Sequence, residues 1–270
     1  MGEFRLGMRS ILSRLARAVR GGTSNQLPPN FDRVAALEIR NFDGLHIAYR
    51  AGTADEDVLR ESFDNDIFFA GVPEYQPDVD DVILDVGAHI GTFAVLAASK
   101  AARGRVHAIE AAKDSFVLLR INGMINRLDH LFVHHVALSD SDGTVTLFHD
   151  SGNWGHSTVA SLSSVSESVA SLSLASFMRQ NDITRCDFMK LNCEGAEFPI
   201  LLSASADLLS RFGMILVLYH SDLWGRNTEL DLVKHLHGAG FETRVVRHSP
   251  HRGWIVATVK SKGESVAASK

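Results

Sequence analysis

Two kinds of residue here could do chemistry together: glycines that let a ligand approach the backbone, and carboxylates at nearby strand ends. The first set lies in Asp85-Val86-Gly87-Ala88-His89-Ile90-Gly91. The apolar run Val82-Ile83-Leu84 leads into it and has the character of a buried parallel strand. Thr92 to Ala102 is Ala-rich and suits a helix, with Thr92 expected as its N-cap. A second strand, Val106 to Ile109, ends on Glu110 and leads into Ala111. The result is a β-α-β unit with a ligand-binding turn after its first strand and a carboxylate at the tip of its second. That geometry suits a nucleoside, with Glu110 accepting the ribose hydroxyl protons.

The dinucleotide fingerprint G-x-G-x-x-G is not matched here: Gly87 and Gly91 bracket the turn four residues apart, and His89 stands where the middle glycine would admit a pyrophosphate. Asp85 would repel a pyrophosphate but could hold a cationic amine, directly or through water. The pattern therefore favours S-adenosylmethionine (SAM) over NAD, with a plain tight turn as the bland alternative. Gly87, Ala88, His89, Gly91 and Thr92 become cofactor-binding candidates beside Asp85, Glu110 and Ala111.

The elements that must position these residues follow in order. Lys113 to Asn126 carries an apolar stripe at helical spacing. Leu131 to Leu138 reads as a third strand, and its end places Ala137 and Leu138 where an adenine could rest. Thr144 to His149 is another strand. The Ser-rich stretch after it reads as a loop from Gly152 to about Ser168, either a lid or inert low-complexity chain, followed by a short strand or helix start from Val169 to Met178. Asn153, Trp154 and His156 are its residues most able to touch a substrate. Asp187 to Cys193 is the fourth core strand and turns through Glu194-Gly195-Ala196-Glu197 into a helix. Met214 to Tyr219 is a fifth strand ending on His220. A helix from Thr228 to Gly238 and a final strand pair complete the pattern. It is a Rossmann-like α/β fold: a seven-stranded, mostly parallel, doubly wound sheet of the SAM-methyltransferase plan, with a C-terminal antiparallel hairpin.

Ahead of the core, Asp43-Gly44 joins two alternating runs as a hairpin turn, and Thr53 to Glu56 opens a short helix. The expected organisation is a basic extension and linker (1–30), a cap (31–80), the methyltransferase domain (81–262) and a disordered tail (263–270). Residues 1–22 carry five arginines against Glu3, with apolar residues at helical spacing. They could lie on a membrane surface or partner through residues 1–20, or be a packing extension.

Composition bounds the rest. The chain has 270 residues, is 45% hydrophobic and has a net charge of −5, so no nucleic-acid partner is expected. Cys186 and Cys193 fall on opposite faces of an extended segment and read as reduced thiols of a cytoplasmic protein.

The runs DVILDVGAHIGTFAVLAA, GRVHAIEAAKDSFVLLRINGMIN, HVALSDSDGTVTLF and MKLNCEGAEFPIL together resemble the FkbM family of SAM-dependent methyltransferases, and GTADEDVLRESF upstream fits that family's lead-in. The most specific piece is Lys190-Leu191-Asn192-Cys193-Glu194-Gly195-Ala196-Glu197, similar to the family's K-x-D-x-E-G-x-E. Asn192 replaces the usual Asp, and Leu218 stands where many members have Glu two residues before the His. Both departures remove a hard oxygen ligand, so no metal ligands are assigned and divalent-metal assistance stays open. The resemblance implies O-methylation of a natural product, sugar or lipid-like acceptor. Methylation at N or C, and a catalytically silent nucleotide-binding module, are the alternatives.

An alcohol is a poor nucleophile until it loses its proton, so a base is needed. His220 and Glu194 both sit at strand ends beside the turn. His220 has the better ordinary pKa, and Glu194 could orient it or bind the acceptor. Lys190 is placed to pair with Glu194 or with the methionine carboxylate of SAM. Asn192 joins the cofactor-binding candidates.

Overall fold

The computed structural model describes residues 37–150 and 155–259. Strands β1 (Leu37–Phe42) and β2 (Leu45–Arg50) form a hairpin, turning at Asp43 and Gly44 with φ of 49° and 94°. Helix α1 (Asp55–Leu59) runs directly into a π-helical turn, Arg60–Asp64. Then follow β3 (Val82–Val86), α2 (Thr92–Lys100), β4 (Arg105–Glu110), α3 (Lys113–Ile125) and β5 (Leu131–His135). Strands β6 (Ala137–Ser139), β7 (Gly143–Phe148) and β8 (Ser166–Ser173) make a separate sheet in the order β6-β8-β7. The second half holds α4 (Leu174–Gln180), β9 (Cys186–Leu191), α5 (Glu197–Ser203), α6 (Ala206–Leu209) and β10 (Phe212–His220). It closes with α7 (Ser221–Trp224), α8 (Glu229–Gly238), β11 (Phe241–Arg247) and β12 (Arg252–Val259).

The main sheet has seven strands in the order β11-β12-β10-β9-β3-β4-β5. Strands β9, β3, β4, β5 and β10 pair in parallel, and β12 runs antiparallel between β10 and β11. The order reverses between β3 and β9, which is where a doubly wound sheet opens a crevice at its carboxyl edge. Side chains alternate across a strand, so each strand feeds two layers. Ile83, Phe188 and Leu216 join the layer of α2 and α3, while Leu84, Met189, Ile215 and Val217 join the layer of α4, α5 and α8. Both faces being covered explains why these strands read as unbroken apolar runs.

The hairpin is fastened to α3 by two asparagines one turn apart. Asn122 Oδ1 accepts from Ala48 N at 2.7 Å, and its Nδ2 donates to Ala48 O at 3.0 Å and Ile90 O at 2.7 Å. Asn126 repeats the pattern on His46, at 2.8 Å and 2.7 Å. Carboxamides here take the place of a neighbouring strand, satisfying backbone groups that burial would otherwise leave unpaired.

Several sequence expectations change. Gly91, with φ of 87°, is the N-cap of α2, and Thr92 is its first residue; the Thr92 hydroxyl instead accepts from Ser62 Oγ at 2.7 Å. The third strand breaks after His135, so Ala137 and Leu138 belong to β6 of the smaller sheet. The Ser-rich stretch is a strand from Ser166 onward, burying Val169 and Ser171 on one face. The helix after β9 stops at Ser203 and restarts behind Ser205, whose side chain caps α6. Cys186 and Cys193 are both free. Among the described residues, no helix is long and apolar enough to cross a membrane. The basic N-terminal segment and linker, the C-terminal tail, Asn153 and Trp154 lie outside the described residues.

Candidate active site

The carboxyl ends of β3, β4 and β9 open onto a cleft of about 900 Å³, its solvent-filled mouth included. Gly87, Ala88 and His89 form its floor, with Glu110 and Ala111 beside them and Val136, Ala137 and Leu138 beyond. Asn192 and Glu194 line it after β9, and Glu61, Phe68 and Phe93 line it near Lys190.

The floor requires its glycines. A Cβ on Gly87, where φ is 76°, would stand 1.9 Å from the carbonyl oxygen of Asn192. One on Gly91, where φ is 87°, would meet Leu119 Cδ1 at 2.4 Å. Backbone N–H groups of Gly87 and Ala88 both donate to Ile109 O at 3.0 Å, tying the turn to β4. His89 itself has φ of 54°. Its N–H donates to Glu110 Oε2 at 2.7 Å, and Ala112 N donates to Glu110 Oε1 at 2.7 Å. Glu110 therefore holds the turn, yet each oxygen keeps a lone pair for a ribose hydroxyl. Burial pushes its carboxyl up, against the pull of those two backbone bonds. The His89 ring leans on the hairpin, with Nε2 at 3.3 Å from Arg50 Nη2 and 3.4 Å from Asp55 Oδ1. Arg50 and Asp55 are buried and bonded to each other through two side-chain contacts of 2.8 Å.

Lys190 does not pair with Glu194. Its Nζ donates to Asp85 Oδ1 at 2.8 Å and to Gly87 O at 3.0 Å, and it lies 5.6 Å and 5.9 Å from the Phe68 and Phe93 ring centres. Facing positions on β9 and β3 bring the pair together, since Lys190 registers with Asp85. Asp85 is fully buried and does not line the cleft, and its Oδ2 has no hydrogen-bond partner. Lys190, with three donors, keeps one for a ligand.

Glu194 follows β9 in the left-handed region, with φ of 49°, a conformation that costs about 1–3 kcal/mol away from glycine. Its neighbours hold it there. Ser157 Oγ donates to Glu194 O at 2.7 Å, and a Cβ on Gly155 would stand 2.4 Å from the Glu194 carboxyl carbon. Behind it lies His220, which does not line the cleft. His220 Nδ1 lies 3.2 Å from Glu197 Oε1, and Nε2 lies 3.7 Å from Glu194 Oε2. Burial pushes the Glu194 carboxyl up, and His220 partly offsets this. Of the two base candidates, Glu194 is the one in the cleft wall. Among the described residues, no group of three or more His, Cys, Asp or Glu side chains is arranged to hold a metal ion.

The family model for the methyltransferase FkbM domain matches residues 85–243, more than half of the chain. The chain belongs to the FkbM methyltransferase family. Solved structures similar to this FkbM methyltransferase include FkbM from Methylobacillus flagellatus KT, at 16% identity over 71% of this chain and 47% of that one, with a TM-score of 0.49. Precorrin-6y C5,15-methyltransferase from Geobacter metallireducens GS-15 is 14% identical over 71% of this chain and 86% of that one, with a TM-score of 0.45. TYW2 of M. jannaschii in complex with AdoMet is 12% identical over 83% and 84%, with a TM-score of 0.42. The chain thus spans about half, 47%, of the length of the Methylobacillus protein. No curated protein matches it.

The cofactor of an FkbM methyltransferase is SAM, and the residues present fit it. Asn192 Oδ1 is buried with no hydrogen-bond partner, an acceptor left for a ligand. Glu61, Glu110 and Glu194 line the cleft, while its lining lysine, Lys190, is bonded to Asp85. That excess of negative charge suits a cationic ligand. Gly87, Ala88, His89, Thr92, Glu110, Ala111, Ala137, Leu138 and Asn192 all line the cleft, as do Lys190, Glu194 and His156. Asp85 and Gly91 shape it from behind. Sequence reasoning missed Glu61, Phe68, Phe93 and Thr158. Phe93 follows the glycine turn directly and could have been found; Glu61 lies in the upstream run GTADEDVLRESF and Thr158 in the Ser-rich loop, and nothing in either stretch singles them out from their neighbours.

Proposed function

We propose that this FkbM methyltransferase transfers the SAM methyl group to a hydroxyl oxygen of a small or medium-sized acceptor, a natural product, sugar or lipid-like molecule. The observation that carries the reading is Glu194: a desolvated carboxylate, held in a strained conformation, in the wall of the cleft. Bound SAM supplies an activated methyl group on a sulfonium, so the chain's own task is orientation and proton removal. Glu110 would hold the ribose, and Ala137 and Leu138 the adenine. As the acceptor oxygen forms its bond to carbon and the carbon–sulfur bond breaks, the hydroxyl proton passes to Glu194. Holding the acceptor in line within about 3–3.5 Å can supply about 7–11 kcal/mol. His220 and Glu197 position Glu194 from behind. Two free thiols suit a reducing, cytoplasmic setting.

The test is release of S-adenosylhomocysteine with a panel of hydroxyl, amine and activated-carbon acceptors. The reading expects turnover with hydroxyl acceptors, and a fall in kcat of about 10²–10⁴-fold in Glu194→Gln with SAM affinity retained. Turnover confined to amines or carbon, or full activity in the variant, would overturn it.

A further inference from the structure

One carboxylate in the cleft has no part in the mechanism above. Glu61 lines the cleft beside Val58, Phe68 and Phe93. It sits in the π-helical turn Arg60–Asp64, whose extra residue per turn re-aims the side chains that follow α1. Its neighbours on that turn are committed elsewhere. Arg60 pairs with Asp57 on the exposed side at 2.9 Å, and Ser62 donates to Thr92 Oγ1 at 2.7 Å. The second contact pins the turn to the first residue of α2, at the end of the glycine floor.

Ile67 N donates to the Glu61 backbone carbonyl at 3.1 Å, and among the described residues the Glu61 carboxylate has no hydrogen-bond or ion-pair partner. Burial pushes its carboxyl up, Asp57 adds to this, and Lys190 works against it. Lys190 is not bonded to it; its two hydrogen bonds go to Asp85 and Gly87 O. A desolvated carboxylate against an aromatic wall matches an ammonium group. Asp85, to which the sequence suggested the amine role, is buried behind the lining, and Glu61 is the carboxylate that lines the cleft near Lys190. The adenosine end of SAM is accounted for by Glu110 and Leu138, which leaves its amino-acid end for the region of Lys190.

We propose that Glu61 binds the α-ammonium group of the methionyl moiety of SAM. This rests on the reading of the cleft as a SAM site. Calorimetry on the full chain tests it with three probes: SAM, S-adenosylhomocysteine, and 5′-methylthioadenosine, which keeps the nucleoside thioether but lacks the amino-acid group. In Glu61→Gln the Kd for SAM and S-adenosylhomocysteine should rise about 10- to 100-fold. The Kd for 5′-methylthioadenosine should stay at its wild-type value, and so should the melting temperature without ligand. Unchanged binding of S-adenosylhomocysteine overturns the assignment. An equal loss for 5′-methylthioadenosine also overturns it, because Glu61 would then only support the fold. Wild-type protein that binds neither SAM nor S-adenosylhomocysteine defeats the cofactor reading itself, a result distinct from failure at Glu61 alone.

Discussion

Glu197 fixes the direction in which His220 points. Its carboxylate is fully buried and accepts from Cys193 N at 2.6 Å and Gly195 N at 2.9 Å, which holds it in place. The facing Nδ1 of His220 is therefore the protonated nitrogen, and Nε2 is turned toward Glu194. Burial alone would favour neutral imidazole, but the hydrogen bond to Glu197 and the charges of Glu197 and Glu194 outweigh it, so the His220 pKa is raised. A histidine with a raised folded pKa stabilises fully below its unfolded value near 6.5 and loses that contribution as pH rises through the folded value. Urea midpoints should therefore decline from pH 6.5 upward in the wild type, and decline less in His220→Gln. Parallel declines in both proteins would remove His220 from the account.

The same cluster governs the pH dependence of turnover. Burial raises the Glu194 carboxyl and the His220 charge draws it back. The acid limb of kcat/KM should lie above the ordinary glutamate value of about 4.3. In His220→Gln the counter-charge is gone, so the limb should move to higher pH while activity persists above it. A profile of S-adenosylhomocysteine release from pH 4.5 to 9 reads this directly. Loss of all activity at every pH would instead make His220 the proton acceptor.

Asn122 should be worth far more to stability than its polarity suggests. It is fully buried, and truncation would strand Ala48 N–H, Ala48 C=O and Ile90 C=O together. An orphaned buried polar group costs about 1–3 kcal/mol, so Asn122→Ala should lose about 3 kcal/mol or more in urea denaturation. Asn126→Ala, whose bonds to His46 are more exposed, should lose less than half of that. Equal losses at the two positions would mean that the hairpin docks by apolar packing alone.

Much of this was legible in the residues. Val82 to Glu110 announces itself because a strand buried on both faces is a continuous apolar run, and because Gly87 and Gly91 mark backbone that no other residue tolerates. Turns and strand ends followed for the same local reasons. The parts that did not show are those decided by contact. From Val169 the sequence left strand and helix open; β8 is a strand, and begins at Ser166, because β7 and β6 supply ladders on both sides. The sequence favoured His220 over Glu194 as the base, but Glu194 lines the cleft while His220 sits behind it against Glu197. Lys190 lay near Glu194 in sequence, but strand register handed it to Asp85. Glu61 was only one charge in an acidic helix until the π-helical turn aimed it.

His107 and His134 supply an acid-side test of the fold itself. Neighbouring parallel strands bring their rings to 5.4 Å, with His107 Nδ1 and His134 Nε2 at 3.1 Å, and Phe177 packs edge-on to both. One ring must donate and the other accept, so protonating both breaks the bond and places charge against an aromatic edge. Burial depresses both, His107 to about 3 and His134 to about 4. Below the unfolded value near 6.5 the unfolded chain takes up protons that the folded chain refuses, so stability falls as pH falls. Each such histidine contributes a slope of up to about 1.4 kcal/mol per pH unit. Between pH 6.5 and 5, His134→Phe should flatten the pH dependence of the unfolding free energy by about that amount, the carboxylates being common to both proteins. An identical slope in the variant would show that His134 is protonated in the folded protein across this range.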